Sequence, residues 1–228
     1  MMTPEQASRL IDISAVRTKS TLSDIKELVS YAKKYKFINV HTLPGWTGQL
    51  SEMLKDEPDV YVGAPVGFPS GGHKTEIKTE EAKQLLADGV REMDIVMNVG
   101  RFLNEEYDFV LGELRQIIGL TPRDVKTKVI IEINVLNDDE VAKACQLVID
   151  SGADYIKTGT GWVDGNANIE RIRKIKDICG SRIKVKAAGG IRTPQEFIEL
   201  YKMGVERMGI NLKSAIDIVE YFNKADRF

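Results

Sequence analysis

The chain has 228 residues, 29% of them charged, and a net charge of −2; with no basic block for nucleic acid or an anionic membrane surface, small molecules are the expected partners. It has no run of about 18 apolar residues and no basic stretch leading into an apolar one, so neither a membrane span nor a secretion signal is expected and the chain reads as cytoplasmic. Cys145 and Cys179 lie in helix-like segments without CxxC spacing, which reads as reduced, packed thiols.

Short β-prone runs alternate with amphipathic helical stretches. The first run, 10–13, holds Asp12 and precedes a helix over 21–35. A second run at 37–41 ends on His41, and a third covers 61–66. A helix over 78–88, stopped by Gly89, leads to a fourth run at 92–97, followed by a fifth at 129–133. Helices over 139–151 and 169–179, stopped by Gly152 and Gly180, flank a sixth run at 155–158. The seventh, 183–187, feeds a helix over 193–203 with Pro194 at its start and Gly204 past its end, and an eighth run at 207–210 follows. No Pro-, Gly- or Ser-rich linker interrupts this order, so residues 1–228 are expected to form a single domain. Strict alternation implies parallel strands with right-handed crossovers, arranged as an open doubly wound sheet or a closed barrel. Eight evenly spaced units and the lack of GxGxxG after the first run favour a TIM (β/α)8 barrel.

In such a barrel the active site lies at the C-terminal strand ends, and residues two apart share a face. That places Glu92 and Asp94 inward on the fourth strand, Ile130 and Glu132 on the fifth, Tyr155 and Lys157 on the sixth, and Lys184 and Lys186 on the seventh. A structural barrel would fill these positions with Val, Ile and Leu. One reading is an internal network in which Asp94, Glu132, Lys157 and Lys186 compensate one another, with Lys184 deeper and paired; stability is a weak reason to keep such a network. The other is chemistry. Two lysines crowded in a site of low dielectric penalise each other's charge, so one amine becomes neutral and nucleophilic near pH 7. At the seventh and eighth strand ends, Gly189-Gly190-Ile191-Arg192 and Gly209-Ile210-Asn211 form a corner suited to phosphate, where backbone N–H groups and a helix N-terminus meet the anion. Arg192 either adds charge there or is a solvated side chain.

These residues also carry a resemblance. Val66-Gly67-Phe68-Pro69 with Lys74-Thr75-Glu76-Ile77-Lys78, then the segments 92–100, 128–132, 152–158 and 185–192, make the chain similar to class I deoxyribose-phosphate aldolases over nearly its whole length. The resemblance implies reversible cleavage of 2-deoxy-D-ribose 5-phosphate to acetaldehyde and D-glyceraldehyde 3-phosphate. It implies Lys157 as the Schiff-base lysine, Lys186 as the lysine that tunes it and Asp94 as the carboxylate of the proton relay. It further implies Gly161, Gly189, Gly190, Arg192 and Gly209 as phosphate-binding residues, and a homodimer. The iminium makes a metal unnecessary, and His41 and His73, the only histidines, lack zinc-ligand spacing, so neither metal nor cofactor is expected.

The chain departs from the family pattern around the expected pocket. One hydroxyl after Asp12 is lost, leaving Ser14-Ala15. His41 stands where the family commonly has Cys, and Ile133 replaces a Thr. Gly159 and Trp162 alter the usual Lys-Thr-Ser-Thr-Gly-Phe, and a Ser pair after the eighth-strand glycine becomes Ile210-Asn211-Leu212. A remodelled pocket follows, open to a different short sugar phosphate acted on by the same chemistry, or to a non-catalytic sugar-phosphate-binding barrel. Asp12 is expected to orient Lys186. His41 either recognises a hydroxyl or carboxylate or is a packed histidine, Trp162 either packs or recognises substrate, and Asn211 completes the candidate binding set. Phe228 reads as a free end.

Overall fold

The computed structural model describes residues 2–165 and 168–225, so Phe228 lies outside the described residues. The eight runs form strands β1 (Ile11–Ala15), β2 (Asn39–Thr42), β3 (Tyr61–Val66), β4 (Glu92–Val96), β5 (Lys126–Ile130), β6 (Tyr155–Lys157), β7 (Lys184–Ala188) and β8 (Arg207–Ile210). All are parallel, each pairs with its successor, and β8 returns to β1, closing the TIM barrel. Around them lie α1 (Pro4–Ser8), α2 (Leu22–Tyr35), α3 (Thr47–Leu54), α4 (Thr75–Ala87), α5 (Val99–Leu103), α6 (Tyr107–Gly119), α7 (Asp138–Ser151), α8 (Ile169–Cys179), α9 (Pro194–Lys202) and α10 (Leu212–Ala225). Local signals place several helix ends. Thr21 with Asp24, Asn137 with Glu140 and Thr193 with Glu196 form reciprocal capping boxes at the starts of α2, α7 and α9.

The pleat sorts each strand into two rows. Ile11 and Ile13, Met93 and Ile95, and Val185 and Ala187 face outward, where they pack fully buried against helix residues such as Leu114, Ile117, Ile172 and Ile175. This layer is the hydrophobic core, and Cys145 of α7 and Cys179 of α8 are buried in it as free thiols. The inward row is ionic and fills the lumen with Asp12, Glu92, Asp94, Lys128, Lys157, Lys186 and Arg207.

Three sequence expectations are corrected. β5 begins and ends three residues earlier than predicted, because Lys126-Thr127-Lys128 belongs to the strand despite its polarity. Lys128 points into the lumen and pairs with Glu92, and Thr127 donates its backbone N–H to Asp154. The chain then leaves the barrel at Glu132, whose φ of 52° is left-handed, so Glu132 does not join the lysines. Its carboxylate instead accepts hydrogen bonds from the backbone N–H and hydroxyl of Thr160. Lys184, expected to be deep and paired, is exposed, with its ammonium 5.5 Å from the centroid of the Tyr155 ring.

A buried clamp outside the barrel fixes the functional end of β4. Lys78 of α4 donates to the Val96 carbonyl at 3.0 Å and to Glu113 of α6 at 2.6 Å, while the Thr75 hydroxyl donates to the other Glu113 oxygen. Both charged side chains are wholly buried. Two residues before Val96 stands Asp94.

Candidate active site

Strand register sets the lysines side by side: Lys157 pairs with Lys186 across β6 and β7. Just above, the Thr158 hydroxyl donates to the Ala188 carbonyl and accepts from the Ala188 N–H, locking the ends of these two strands together. Both ammonium groups converge on one oxygen, Asp94 Oδ2, with Lys157 Nζ at 2.7 Å and Lys186 Nζ at 2.8 Å. Lys186 also lies 2.5 Å from Asp12 Oδ2.

Beneath this trio is a second ionic layer that sequence reasoning left unassembled. Arg207 bridges Asp12 and Glu92 at 2.7 and 3.0 Å, and Lys128 reaches Glu92 and comes within 3.3 Å of Asp94 Oδ1. The lumen therefore sets three carboxylates, Asp12, Glu92 and Asp94, against four basic groups, Lys128, Lys157, Lys186 and Arg207. Charge balances if one base is neutral. Lys157 is the one that reaches the open cleft, 11% exposed against 2% for Lys186 and 0% for Lys128. Burial pushes its amine down to about 8; Asp94 opposes the shift, and the positive charges of Lys186 and Lys128 reinforce it. Burial alone would raise Asp94, but His41, Lys157, Lys186 and Lys128 together hold its carboxyl well below the usual range. Asp12 behaves alike: burial is outweighed by Arg207, Lys186 and Lys128.

The cleft above has a volume of about 530 Å³ and brings together the candidate catalytic and binding residues Asp12, His41, Asp94, Lys157, Gly161, Lys186, Gly189, Gly190, Arg192, Gly209 and Asn211. Gly189 and Gly190 take φ of 95° and 85°, consecutive left-handed positions that residues with a Cβ adopt only with strain. Asn211 is committed locally, its side chain donating to the Ser214 hydroxyl and accepting from the Ser214 N–H to cap α10. Trp162 packs edge-on against Phe68 at 5.6 Å and donates its indole N–H to the Val16 carbonyl, tying the β6 loop to the β1 loop at the rim. Arg17, Phe68 and Asp164 also line the cleft and were not anticipated. They sit in loops, where no periodicity marks an inward side. His73 is exposed and is not among the lining residues.

A carboxylate-paired amine of lowered basicity at the mouth of a (β/α)8 barrel is equipment for making and breaking imines, which defines a class of barrel enzymes. Known proteins narrow this class. The family model for DeoC/LacD family aldolases matches residues 6–210. A deoxyribose-phosphate aldolase of Klebsiella pneumoniae is 40% identical over 211 residues, spanning 92% of this chain and 84% of that protein. Among solved structures, the aldolase QR15 superposes with a TM-score of 0.90 at 36% identity, covering 97% of both chains. A tetrameric deoxyribose phosphate aldolase from Aeropyrum pernix gives 0.89 at 26% identity, covering 99% of this chain and 94% of that one. The chain belongs to the DeoC/LacD aldolase family.

Proposed function

We propose that this protein is a class I aldolase that reversibly cleaves 2-deoxy-D-ribose 5-phosphate to acetaldehyde and D-glyceraldehyde 3-phosphate, with Lys157 as the imine-forming lysine. The observation that carries the reading is the Lys157 amine, lowered to about 8 beside Asp94 in a lumen whose other charges balance without it. Neutral Lys157 attacks the aldehyde carbon of the open-chain sugar, and loss of water gives a protonated imine. The C2–C3 bond then breaks and its electron pair moves toward the iminium nitrogen, forming an enamine, while the C3 hydroxyl proton passes to Asp94 and C3 becomes a carbonyl. Protonation of the enamine carbon and hydrolysis free acetaldehyde and the amine. Lys186 keeps Asp94 ionised and makes Lys157 easier to deprotonate, and Asp12 keeps Lys186 in place.

The phosphate lies against Gly189, Gly190, Gly209 and Gly161, with Arg192 and Arg17 supplying charge; both arginines line the cleft, and neither has a carboxylate ion-pair partner among the described residues. His41 and Asn211 also line the pocket. The enzyme acts as a cytoplasmic homodimer on free small molecules. No described helix is long and apolar enough to cross a membrane. The use of the Asn211 side chain as a helix cap favours one second reading, the same aldol chemistry on another short sugar phosphate.

Borohydride reduction with acetaldehyde, and separately with 2-deoxyribose 5-phosphate, followed by peptide mapping, tests the proposal. Stable adducts on Lys157 with both compounds, abolished in Lys157→Leu, are the expected result. An adduct with acetaldehyde alone moves the substrate to the second reading, and no adduct with either overturns the mechanism.

A further inference from the structure

His41 sits inside the lumen in an arrangement that packing does not explain. Its ring is 5% exposed, yet neither ring nitrogen has a hydrogen-bond partner, and Asp94 Oδ1 also lacks one. Buried polar atoms are ordinarily paired, so His41 Nε2 and Asp94 Oδ1, which face each other without hydrogen bonds at the edge of the cleft, mark a place built for a bound group. His41 Nε2 and Asp94 Oδ1 lie 3.3 Å apart with no hydrogen bond between them. One hydroxyl between them satisfies both, by donating to the carboxylate and accepting from the imidazole N–H.

The strand beside His41 makes room for this ring. Gly63 of β3 pairs with His41, and a Cβ at Gly63 would stand 2.3 Å from Cε1 and 2.6 Å from Nδ1 of the imidazole. Any other residue at position 63 would displace the ring from the lumen. The charged groups facing it are Asp94, Lys186, Lys128 and Asp12. Burial, with Lys186 and Lys128, holds the imidazole below its ordinary basicity against the pull of Asp94, so it is neutral at pH 7. Asp94 beside Nε2 selects the tautomer with hydrogen on that nitrogen.

Building on the aldolase reading above, we propose that His41 is a catalytic residue of the bond-breaking step, its Nε2–H holding the C3 oxygen of the imine-bound sugar while Asp94 Oδ1 takes the proton from that oxygen. The oxygen becomes a carbonyl as the C2–C3 electron pair moves to the iminium; the imidazole transfers no proton and supplies the hydrogen bond that stabilises charge developing on C3–O. Asp94 can serve in this way because its other oxygen is held by both lysines. Condensation in reverse uses the same contact, polarising the incoming aldehyde.

His41→Leu and His41→Gln separate this role from a packing role, because Gln keeps a donor of similar reach. Two readouts are compared with the parent: borohydride trapping of acetaldehyde on Lys157, which needs no C–C cleavage, and turnover of 2-deoxyribose 5-phosphate. In His41→Leu, trapping stays within about twofold while kcat for cleavage falls about 100-fold, and His41→Gln recovers to within about tenfold of the parent. Cleavage by His41→Leu within about threefold of the parent overturns the assignment. So does a loss of trapping in step with cleavage, which marks a ring that only supports the fold. A parent that traps acetaldehyde but does not cleave this sugar overturns the substrate and not His41. The variants are then compared on self-addition of acetaldehyde, where the oxygen of the accepting aldehyde occupies the same contact and the same fold-changes decide.

Discussion

Lys157 shows how a single titration is set by its neighbours. At a value of about 8, roughly a tenth of the amine is neutral at pH 7, and each unit upward costs about another tenfold. The sign of the effect of Lys186 follows from both Coulomb's law and the charge count. Removing that cation removes a group that lowers Lys157, and it leaves the three lumen carboxylates facing only Lys128, Arg207 and Lys157, so the last is drawn into the charged form. Lys186→Leu is therefore expected to move the acid limb of acetaldehyde trapping upward by at least one pH unit and to cut trapping at pH 7 by tenfold or more. Trapping rates from pH 6 to 10 measure this, and a limb unmoved from the parent's would remove Lys186 from the account. A different residue-scale change acts on binding: Arg192→Ala withdraws a charge-assisted bond to phosphate of about 1.5–3 kcal/mol, raising KM about 10- to 100-fold with little effect on kcat.

At the scale of elements, the strands were legible through their outward rows. Ile11 and Ile13 or Val185 and Ala187 form apolar beats against the helices, and Pro194 and Gly204 bracket the helix between β7 and β8. β5 was displaced because its inward residue is Lys128, so the apolar run Val129-Ile130-Ile131 was read as the strand when it is the strand's end plus one core residue. Lys157, Lys186 and Asp94 were legible because a charge ending an apolar run has few explanations. The layer below was not, because Arg207 meets Asp12 across 195 positions of sequence and Glu92 across 115, and only closure of the ring brings them together. The Lys78 of the family-like stretch 74–78 likewise acquires its meaning from two helices, α4 and α6, clamped over Val96. Lys78→Met strands the buried Glu113 carboxylate and is expected to cost about 3–5 kcal/mol, whereas Lys78→Met with Glu113→Leu recovers most of that loss. Urea unfolding of the single and double variants measures the coupling, and additive losses would mean that the two side chains act separately.

For the molecule as a whole, the barrel substitutes an ionic lumen for the apolar layers that would fill it most simply. Ion pairs of this kind seldom stabilise better than well-packed side chains of equal volume, so the arrangement answers to chemistry: it fixes Asp94 as an anion and lowers the basicity of one amine in a site of low dielectric. The consequence for stability depends on pH. The folded-state basicities of Asp12 and Asp94 are depressed, so their contribution is complete above the unfolded carboxyl value of about 4 and is lost as pH falls from there toward the much lower folded values. Asp12→Asn leaves Arg207 and Lys186 without a shared carboxylate and is expected to destabilise the fold by about 3–5 kcal/mol at pH 7. Below pH 4 that deficit narrows by about 1.4 kcal/mol per unit, because in the parent the unfolded Asp12 takes up a proton that the folded one refuses. Urea midpoints for parent and variant at pH 7, 4 and 3 measure the convergence. A deficit constant across that range would mean that the carboxylate at position 12 stabilises the lumen through its shape and hydrogen bonds, with its charge contributing nothing that acid can remove.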